Sequence, residues 1–269
     1  MTQPALLPEA RKPVVISASR RTDMVGCYPD FFLEKLREYP PSQVHSIILW
    51  TKNPRNMLLI GELRTALERY GQLYVQLTVT GLGGTVLEPR IPDWKKVLDM
   101  APALIDLAGD PRRVCWRFDP ILRCETPAGP VKNIELFPQI AERMAAAGVS
   151  TCTTSWVEPY RKVLRRLEQK GIRLMPHTAQ ERAEQALLLE KTTAGLGMSL
   201  RYCCLEGRGS PGCIDGALLN RLHPCGAICS TARAKGQRRL CRCTESIDIG
   251  WYSQKCAHGC LYCYAEPMV

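Results

Sequence analysis

The stretch VHSIILWTKNPRNMLLIGELRTALERYGQLYVQLTVT, Val44 to Thr80, decides the fold. VHSIILW (Val44 to Trp50) is an apolar run of strand length, a helical segment follows from about Met57 to Tyr70, and LYVQLTVT (Leu73 to Thr80) resumes a strand. Apolar strands of about five to eight residues alternating with amphipathic helices mark βαβ units in a mostly parallel sheet.

The unit extends in both directions. Upstream, VVISASRRTD (Val14 to Asp23) opens as a strand and precedes a helix from Asp30 to Tyr39, with Phe31, Phe32, Leu33 and Leu36 apolar. Downstream come a helix near Asp93 to Leu107, VCWRFD (Val114 to Asp119), a Gly and Pro loop, and a helix ending near Ala147. A strand from Val149 to Ser155, a helix from Pro159 to Gln169 and IRLMPH (Ile172 to His177) continue the alternation. Thr178, with Glu181 three residues on, forms a capping box for a helix to about Lys191, and LGMSLRYC (Leu196 to Cys203) is the seventh strand.

With an eighth short strand at Ser246 to Ile249, and no nucleotide-binding glycine fingerprint after the first, the pattern predicts an α/β fold of the TIM-like (β/α) barrel type, closed or partly closed, with a cysteine-rich C-terminal extension. Gly81, Gly83 and Gly84 make a glycine-rich turn that lacks the downstream pattern of dinucleotide or P-loop sites. The expected organisation is a barrel over 1–204, a basic cysteine-rich segment over 205–245, and a terminal strand with a ligand loop over 246–269, packed on the barrel. Within the middle segment only GALLNRL (Gly216 to Leu222) keeps helical periodicity.

At 269 residues and 45% hydrophobic content the chain can bury a substantial core without metals or disulfides. The opening MTQPALLPEARKPVV has no apolar run of signal-peptide length, and no stretch reaches spanning length, so a cytoplasmic protein without membrane contact is expected. Ten of the fourteen cysteines fall from Cys203 onward, several only two to four residues apart. Neighbours that close are poor disulfide partners but suit thiolates converging on a metal in a reducing compartment. The formal charge of +10 would favour nucleic acid or another polyanion. Its densest parts are Arg233, Lys235, Arg238, Arg239 and Arg242, and Arg161, Lys162, Arg165, Arg166 and Lys170 on a helix; a solvated basic face explains either equally well.

The strongest local signal is YSQKCAHGCLYCYAEP, with Cys256, Cys260 and Cys263 spaced C-x3-C-x2-C. Such a loop can wrap an iron–sulfur cube and present three sulfurs to three irons, with Gly259 easing the turn and one iron left open for chemistry. A zinc site of the three cysteines with His258 is the rival.

C-x3-C-x2-C with an aromatic before the last cysteine, here Tyr262, resembles the motif of the radical S-adenosylmethionine superfamily, and HGCLYCYA is similar to the form in the spore photoproduct lyase branch. The resemblance implies that Cys256, Cys260 and Cys263 hold a [4Fe-4S] cluster that binds S-adenosylmethionine, with Tyr262 near the adenine, and a one-electron reductant such as flavodoxin or ferredoxin as partner. It departs from that superfamily in position, because the triplet usually follows the first strand and here lies at the C-terminal end, after SIDIGWY. ISASRRTD, LWTKNP, TVTGLG, WRFDPI, CID (Cys213 to Asp215) and CTESIDIGWY together resemble an uncharacterised bacterial family catalogued as domain of unknown function 1848, with which no established reaction comes.

By that resemblance Cys204, Cys213, Cys241 and Cys243 form a second set, for an auxiliary [4Fe-4S] cluster or a zinc ion, whereas Cys225 and Cys229 look peculiar to this chain. Spacing alone does not choose between the two metals. The strand ends predict a mouth with Arg20, Arg21, Asp23, Thr51, Lys52, Asn53, Thr78, Thr80, Arg117, Asp119, Thr153, Ser155 and His177. Among these Lys52, Arg117 and Asp119 are candidates for catalysis, and Arg20 and Asn53 for cofactor contacts. Cys27, Cys115, Cys124 and Cys152 are expected as scattered or core cysteines. The expected activity is radical S-adenosylmethionine chemistry on a nucleic acid or a small anionic metabolite. The alternative is a zinc- or iron–sulfur-containing nucleic-acid-binding or electron-transfer protein without catalysis.

Overall fold

A computed structural model describes residues 12–251 and 253–269; residues 1–11 and Tyr252 fall outside the described residues. The strands are β1 (Val14–Ala18), β2 (Val44–Thr51), β3 (Leu73–Thr78), β4 (Val114–Ile121), β5 (Arg123–Thr126), β6 (Gly129–Lys132), β7 (Thr151–Trp156), β8 (Arg173–Leu174), β9 (Ser199–Tyr202), β10 (Ile247–Asp248), β11 (Lys255–Cys256) and β12 (Glu266–Pro267). The helices are α1 (Met24–Cys27), α2 (Pro29–Arg37), α3 (Arg55–Leu59), α4 (Gly61–Glu68), α5 (Trp94–Asp99), α6 (Ala101–Ala108), α7 (Phe137–Ala146), α8 (Arg161–Glu168), α9 (Ala179–Gly195) and α10 (Gly216–Leu222). Two helices expected as single rods are broken: Ile60 separates α3 from α4 and Met100 separates α5 from α6, with Pro102 in the first turn of α6.

A seven-stranded parallel sheet runs in the order β10-β1-β2-β3-β4-β7-β9. The last strand in the chain therefore lies beside the first, with Ile16 opposite Ile247 and Ser17 opposite Asp248. Strand order follows chain order without the reversal of a doubly wound sheet. No ladder between β9 and β10 closes the sheet among the described residues.

Alternation along the strands splits the apolar side chains between two cores. Ile16, Ile47, Leu49, Val75, Trp116 and Phe118 enter the large core with the helices, where Trp116 stacks on Phe137 at 4.9 Å. Val15, Ile48, Tyr74 and Cys115, one residue out of phase, face the other way and pack against Ile214, Leu219, Leu222, Cys229, Cys241 and Cys243. The aperiodic segment thus covers the second face of the sheet. That is why β2, with seven of its eight residues buried, reads as a continuous apolar run.

IRLMPH departs from the expected barrel order. Its core, β8, pairs antiparallel with β5 (Cys124 opposite Leu174), and the place beside β7 goes to β9, which makes four register pairs there. Only two residues of β8 are in strand pairing, and Pro176 has no N–H to extend the ladder. Ile172 and Leu174 instead join a third core with Leu122, Val163 and Leu167, and this core holds Cys260, Leu261 and Tyr262. The diverted strand builds the seat of the terminal loop.

The Thr178 capping box forms as expected: Glu181 N–H donates to Thr178 Oγ1 at 3.1 Å and Thr178 N–H to Glu181 Oε2 at 2.8 Å. Among the described residues no helix is long and apolar enough to cross a membrane.

Candidate metal centre and active-site mouth

β11 and β12 pair in parallel, Lys255 opposite Glu266 and Cys256 opposite Pro267, and pinch the chain into a loop that carries all three cysteines. Gly259 takes φ +68°, where a Cβ would also meet the Met268 carbonyl at 2.9 Å, so the turn requires glycine. The loop is tied from outside by four hydrogen bonds, three of them to its own carbonyls. Leu261 N–H donates to Leu87 O at 3.1 Å, Arg90 donates to Ala257 O and Met268 O at 2.8 Å each, and Arg166 donates to Cys263 O. Arg166 and Lys162, which lies 3.6 Å from Glu266, commit part of the basic helix to this packing.

Cys256, Cys260 and Cys263 lie within electrostatic reach of one another. Burial, followed by the charges of its neighbours, pushes the Cys260 thiol well up, with Lys52 opposing. Cys27 is no scattered thiol: its Sγ lies 3.9 Å from Cys256 Sγ. That contact, aided by His258 and opposed by burial, lowers Cys256 to about 5 and raises Cys27.

Beneath the loop lies a buried polar knot. Lys52 Nζ donates to Glu88 Oε1 at 2.8 Å and to Tyr262 OH at 3.0 Å; Thr80 Oγ1 donates to the same Glu88 oxygen at 2.6 Å, and Tyr262 OH donates there too. Burial alone would raise Glu88, but Lys52 and the hydroxyl donors hold it below the usual carboxylate range. Beside it, His258 Nε2 lies 2.8 Å from Asp23 Oδ2, which also accepts from Thr51 Oγ1 and Lys52 N–H. Burial works against the imidazolium, yet the Asp23 hydrogen bond and charge outweigh it and raise His258. Asp23 engages one ring nitrogen of His258, Nε2, as carboxylates do beside metal-bound histidines.

On β4, Arg117 and Asp119 point the same way and bond to each other, and Ser155 donates to Asp119. Arg117 also donates to Cys213 Sγ at 3.0 Å and lies 5.2 Å over the Trp50 ring. Arg20 is spent on the aperiodic segment, with Nη1 at 2.9 Å from Gln237 Oε1 and Nη2 at 3.1 Å from Ser246 Oγ. Asn53 makes a local turn, its N–H donating to Thr51 Oγ1 and its Oδ1 accepting from Arg55 N–H. His177 is buried, and burial, then Arg123, lowers its pKa.

The second cysteine set does assemble, with Cys203 added. Cys203 Sγ lies 4.0 Å from Cys204 and 3.7 Å from Cys213, and side-chain contacts of Cys204 with Cys241, Cys213 with Cys243, and Cys241 with Cys243 complete a ring of five thiols. Cys225 is exposed and Cys229 bonds to Asn220 Oδ1 at 3.1 Å, both apart from the ring. The ring borders a cavity of about 430 Å³. Among the described residues no three metal-capable side chains converge on one point as they stand. The fit of metal therefore rests on donor chemistry: two groups of thiols, each beside guanidinium or ammonium groups.

Sequence reasoning missed Glu88, Cys203 and the pairing of Cys27. Glu88 had a signal, a lone carboxylate between Leu87 and Pro89 after the glycine-rich turn. Cys27 had none, because α1 brings it to the loop from 229 residues away.

A family model described as a domain of unknown function, DUF1848, matches residues 38–265, which include both cysteine groups. No curated protein matches the chain. Among solved structures, the chain is similar to a putative mandelate racemase from Bordetella bronchiseptica RB50 complexed with 2-oxoglutarate/phosphate, at 14% identity and TM-score 0.32, over 89% of this chain and 56% of that one. It is also similar to the carboxyl transferase domain of Rhizobium etli pyruvate carboxylase, at 13% identity and TM-score 0.26, over 80% of this chain and 44% of that one. The chain thus spans about half the length of these two, and both likenesses are too distant to bear on fold or activity.

Proposed function

The chain belongs to the DUF1848 family, and from that footing we propose that it is a radical S-adenosylmethionine-type iron–sulfur enzyme working in the cytoplasm. One observation carries the proposal: the loop with Cys256, Cys260 and Cys263 is anchored beside the C-terminal ends of β2 and β4, next to Lys52, Glu88 and Tyr262. Strand order follows chain order, as in a partly closed (β/α) barrel, whose active sites sit at that edge. A terminal strand paired with the first makes a C-terminal loop equivalent in position to one that follows the first strand.

Cys256, Cys260 and Cys263 would hold a [4Fe-4S] cluster. The chemistry it supplies when bound is one-electron reduction of S-adenosylmethionine to methionine and a 5′-deoxyadenosyl radical, which takes hydrogen from substrate. Tyr262, its OH fixed by Lys52 and Glu88, offers a ring to the adenine, and the Glu88 carboxylate keeps Lys52 charged in a buried place. Arg117 and Asp119 flank the mouth from β4 and suit an anionic substrate. The substrate is a nucleic acid or a small anionic metabolite; Arg20, Arg166, Arg233 and Arg117 alike are bonded to the protein's own groups, so these arginines do not choose between the two. A flavodoxin- or ferredoxin-type reductant would supply the electron.

Anaerobic reconstitution with iron and sulfide should give a broad visible absorbance and, after dithionite, conversion of S-adenosylmethionine to 5′-deoxyadenosine. Cys260→Ala should abolish both. An intact reduced cluster that leaves S-adenosylmethionine unchanged would sink the proposal in favour of electron transfer.

A further inference from the structure

β9 is an edge strand of the seven-stranded sheet, and its side chains alternate between the two faces. Leu200 and Tyr202 pack into the large core with the helices, Tyr202 stacking on Trp156, so Arg201 between them faces the other way. The register continues that placement across the sheet: Thr78 lies opposite Arg117, Arg117 opposite Thr153, and Thr153 opposite Arg201. These polar residues form a row on the inner face, one step below Asp119 and Ser155 of the mouth.

The two arginines of the row differ in what meets their charge. Arg117 is bonded to Asp119 and to Cys213 Sγ and lies over Trp50. Arg201 is half-buried, yet no hydrogen bond, ion pair or aromatic ring meets it among the described residues. Every other arginine withdrawn from the surface has such a partner there, as Arg113 has Leu222 O, Arg123 has Glu181 and Arg208 has Glu190. The charge of Arg201 is felt at Cys115 on β4 and at Tyr74 on β3, two and three strands away, so its guanidinium lies over the inner face and not out beyond the edge. Asp119 is held by Arg117 and Ser155, and Asp215, which also reaches Tyr74, caps α10 through Leu218 N–H at 3.1 Å. Opposite Cys115 stands Gln76, 1% exposed, whose amide N–H donates to Cys213 O at 2.6 Å while its Oε1 has no partner. An unmet charge and an unmet buried acceptor on one wall are costly to keep, and a bound molecule with an anionic group and a hydroxyl or amino group would satisfy both.

We propose that Arg201 anchors an oxyanion, a carboxylate or phosphate group, of a small-molecule substrate bound against the inner face, with Thr153 and Gln76 beside it. A guanidinium presents a planar fork that matches either group through two parallel hydrogen bonds. The inner position favours a small molecule over a polymer. Ile214, Leu219 and Leu222 cover this face against Val15, Ile48 and Tyr74, so a polynucleotide, whose phosphates recur along its backbone, would stay at the rim and meet exposed arginines instead. The assignment rests on the enzyme reading for the word substrate and deepens it by giving that substrate a charge and a size.

The test measures binding to the full chain without S-adenosylmethionine, so its failure is separate from a failure of turnover. Inorganic phosphate and malonate are titrated individually by calorimetry and tested for raising the urea midpoint. At least one should bind; phosphate alone marks a phosphate ester, malonate alone a carboxylate. Arg201→Gln should weaken that binding about 10- to 100-fold, and Arg201→Lys less. Without anion, Arg201→Gln should unfold at or above the parent's midpoint, because no protein partner is lost, whereas a merely structural arginine would lower it. Arg242→Gln, at the surface, should bind as the parent does. Binding of neither anion, binding unchanged in Arg201→Gln, an equal loss in Arg242→Gln or a lowered anion-free midpoint would each overturn the assignment. A single-stranded oligonucleotide that displaces the anion from the parent and loses affinity in Arg201→Gln would overturn it in favour of nucleic acid.

Discussion

The ammonium of Lys52, just beyond β2, donates to the phenol oxygen of Tyr262, 210 residues away in the terminal loop, at 3.0 Å. The bond is one arm of a clamp whose other arm is Glu88, bonded to both side chains. The clamp is buried, with the Lys52 side chain 15% exposed and that of Glu88 2% exposed, so its energetics differ from those of a surface ion pair.

Removing one partner of this pair strands the other's charge. Lys52→Met should cost about 3–5 kcal/mol by urea unfolding, and Glu88→Leu a similar amount. The double variant should recover much of the loss, because the desolvation of both charges goes with them. Tyr262→Phe keeps the ring and should cost only about 1 kcal/mol. Additive losses in the double-variant cycle would show that the two charges do not act as a pair.

A second electrostatic device lies at the start of α9. Glu181 caps α9 and receives Arg123 at 2.7 Å; that hydrogen bond first, then the Thr178 N–H, lowers the carboxyl to about 2 from 4.5. A carboxyl depressed in the fold stabilises above its unfolded pKa, and the stabilisation is lost as pH falls toward the folded one. Glu181→Gln should therefore lower the urea midpoint near neutral pH, and the gap to the parent should narrow below about pH 4. An unchanged gap across that range would deny the carboxylate its role.

How much of this was legible in the sequence follows from the range of each interaction. The Thr178 and Glu181 box, the strand order from β1 to β4 and the loop spacing are local or periodic, and sequence carries such patterns directly. IRLMPH was misplaced because apolar content marks a strand but not its partner; Ile172 and Leu174 are buried either way. Glu88 and Cys27 acquire their partners only through tertiary contact. The thiol ring was read as four residues and contains five, since Cys203 looked like the end of a regular strand until the turn at Cys204 aligned the two.

Cys27 decides whether the loop leaves a corner free. Its Sγ is 3.9 Å from Cys256, near enough to compete for iron or to be oxidised with it to a disulfide. We expect diamide, which accepts two electrons and two protons, to couple Cys27 to Cys256 in the metal-free chain, and peptide mass mapping should find that crosslink. Cys27→Ala should then take up iron and sulfide at least as fully as the parent and retain S-adenosylmethionine turnover. Loss of the cluster in Cys27→Ala would make Cys27 a fourth ligand and remove the open position on which the proposed enzyme depends.

The loop reaches the mouth because a strand of two residues, β10, is held against β1, and Asp248 supplies most of the grip. Its carboxylate accepts from Ser19 Oγ at 2.5 Å, Gly250 N–H at 3.0 Å, Arg20 N–H at 3.3 Å and Ser17 Oγ at 3.4 Å. Gly250 sits so close behind that a Cβ would lie 2.4 Å from Ser19 Oγ. Asp248→Ala leaves these donors without their common acceptor, at about 1.5–3 kcal/mol for charged hydrogen bonds of this kind. The helices and the first-face core do not depend on that carboxylate, so circular dichroism should stay close to that of the parent. Protease cleavage after 246 should accelerate, and iron uptake by the triplet should fall. Gly250→Ala should produce the same effect through steric conflict with Ser19. If iron uptake is unaffected in both variants, the terminal loop is held by Arg90, Arg166 and the Lys52 clamp alone, and β10 does not position it.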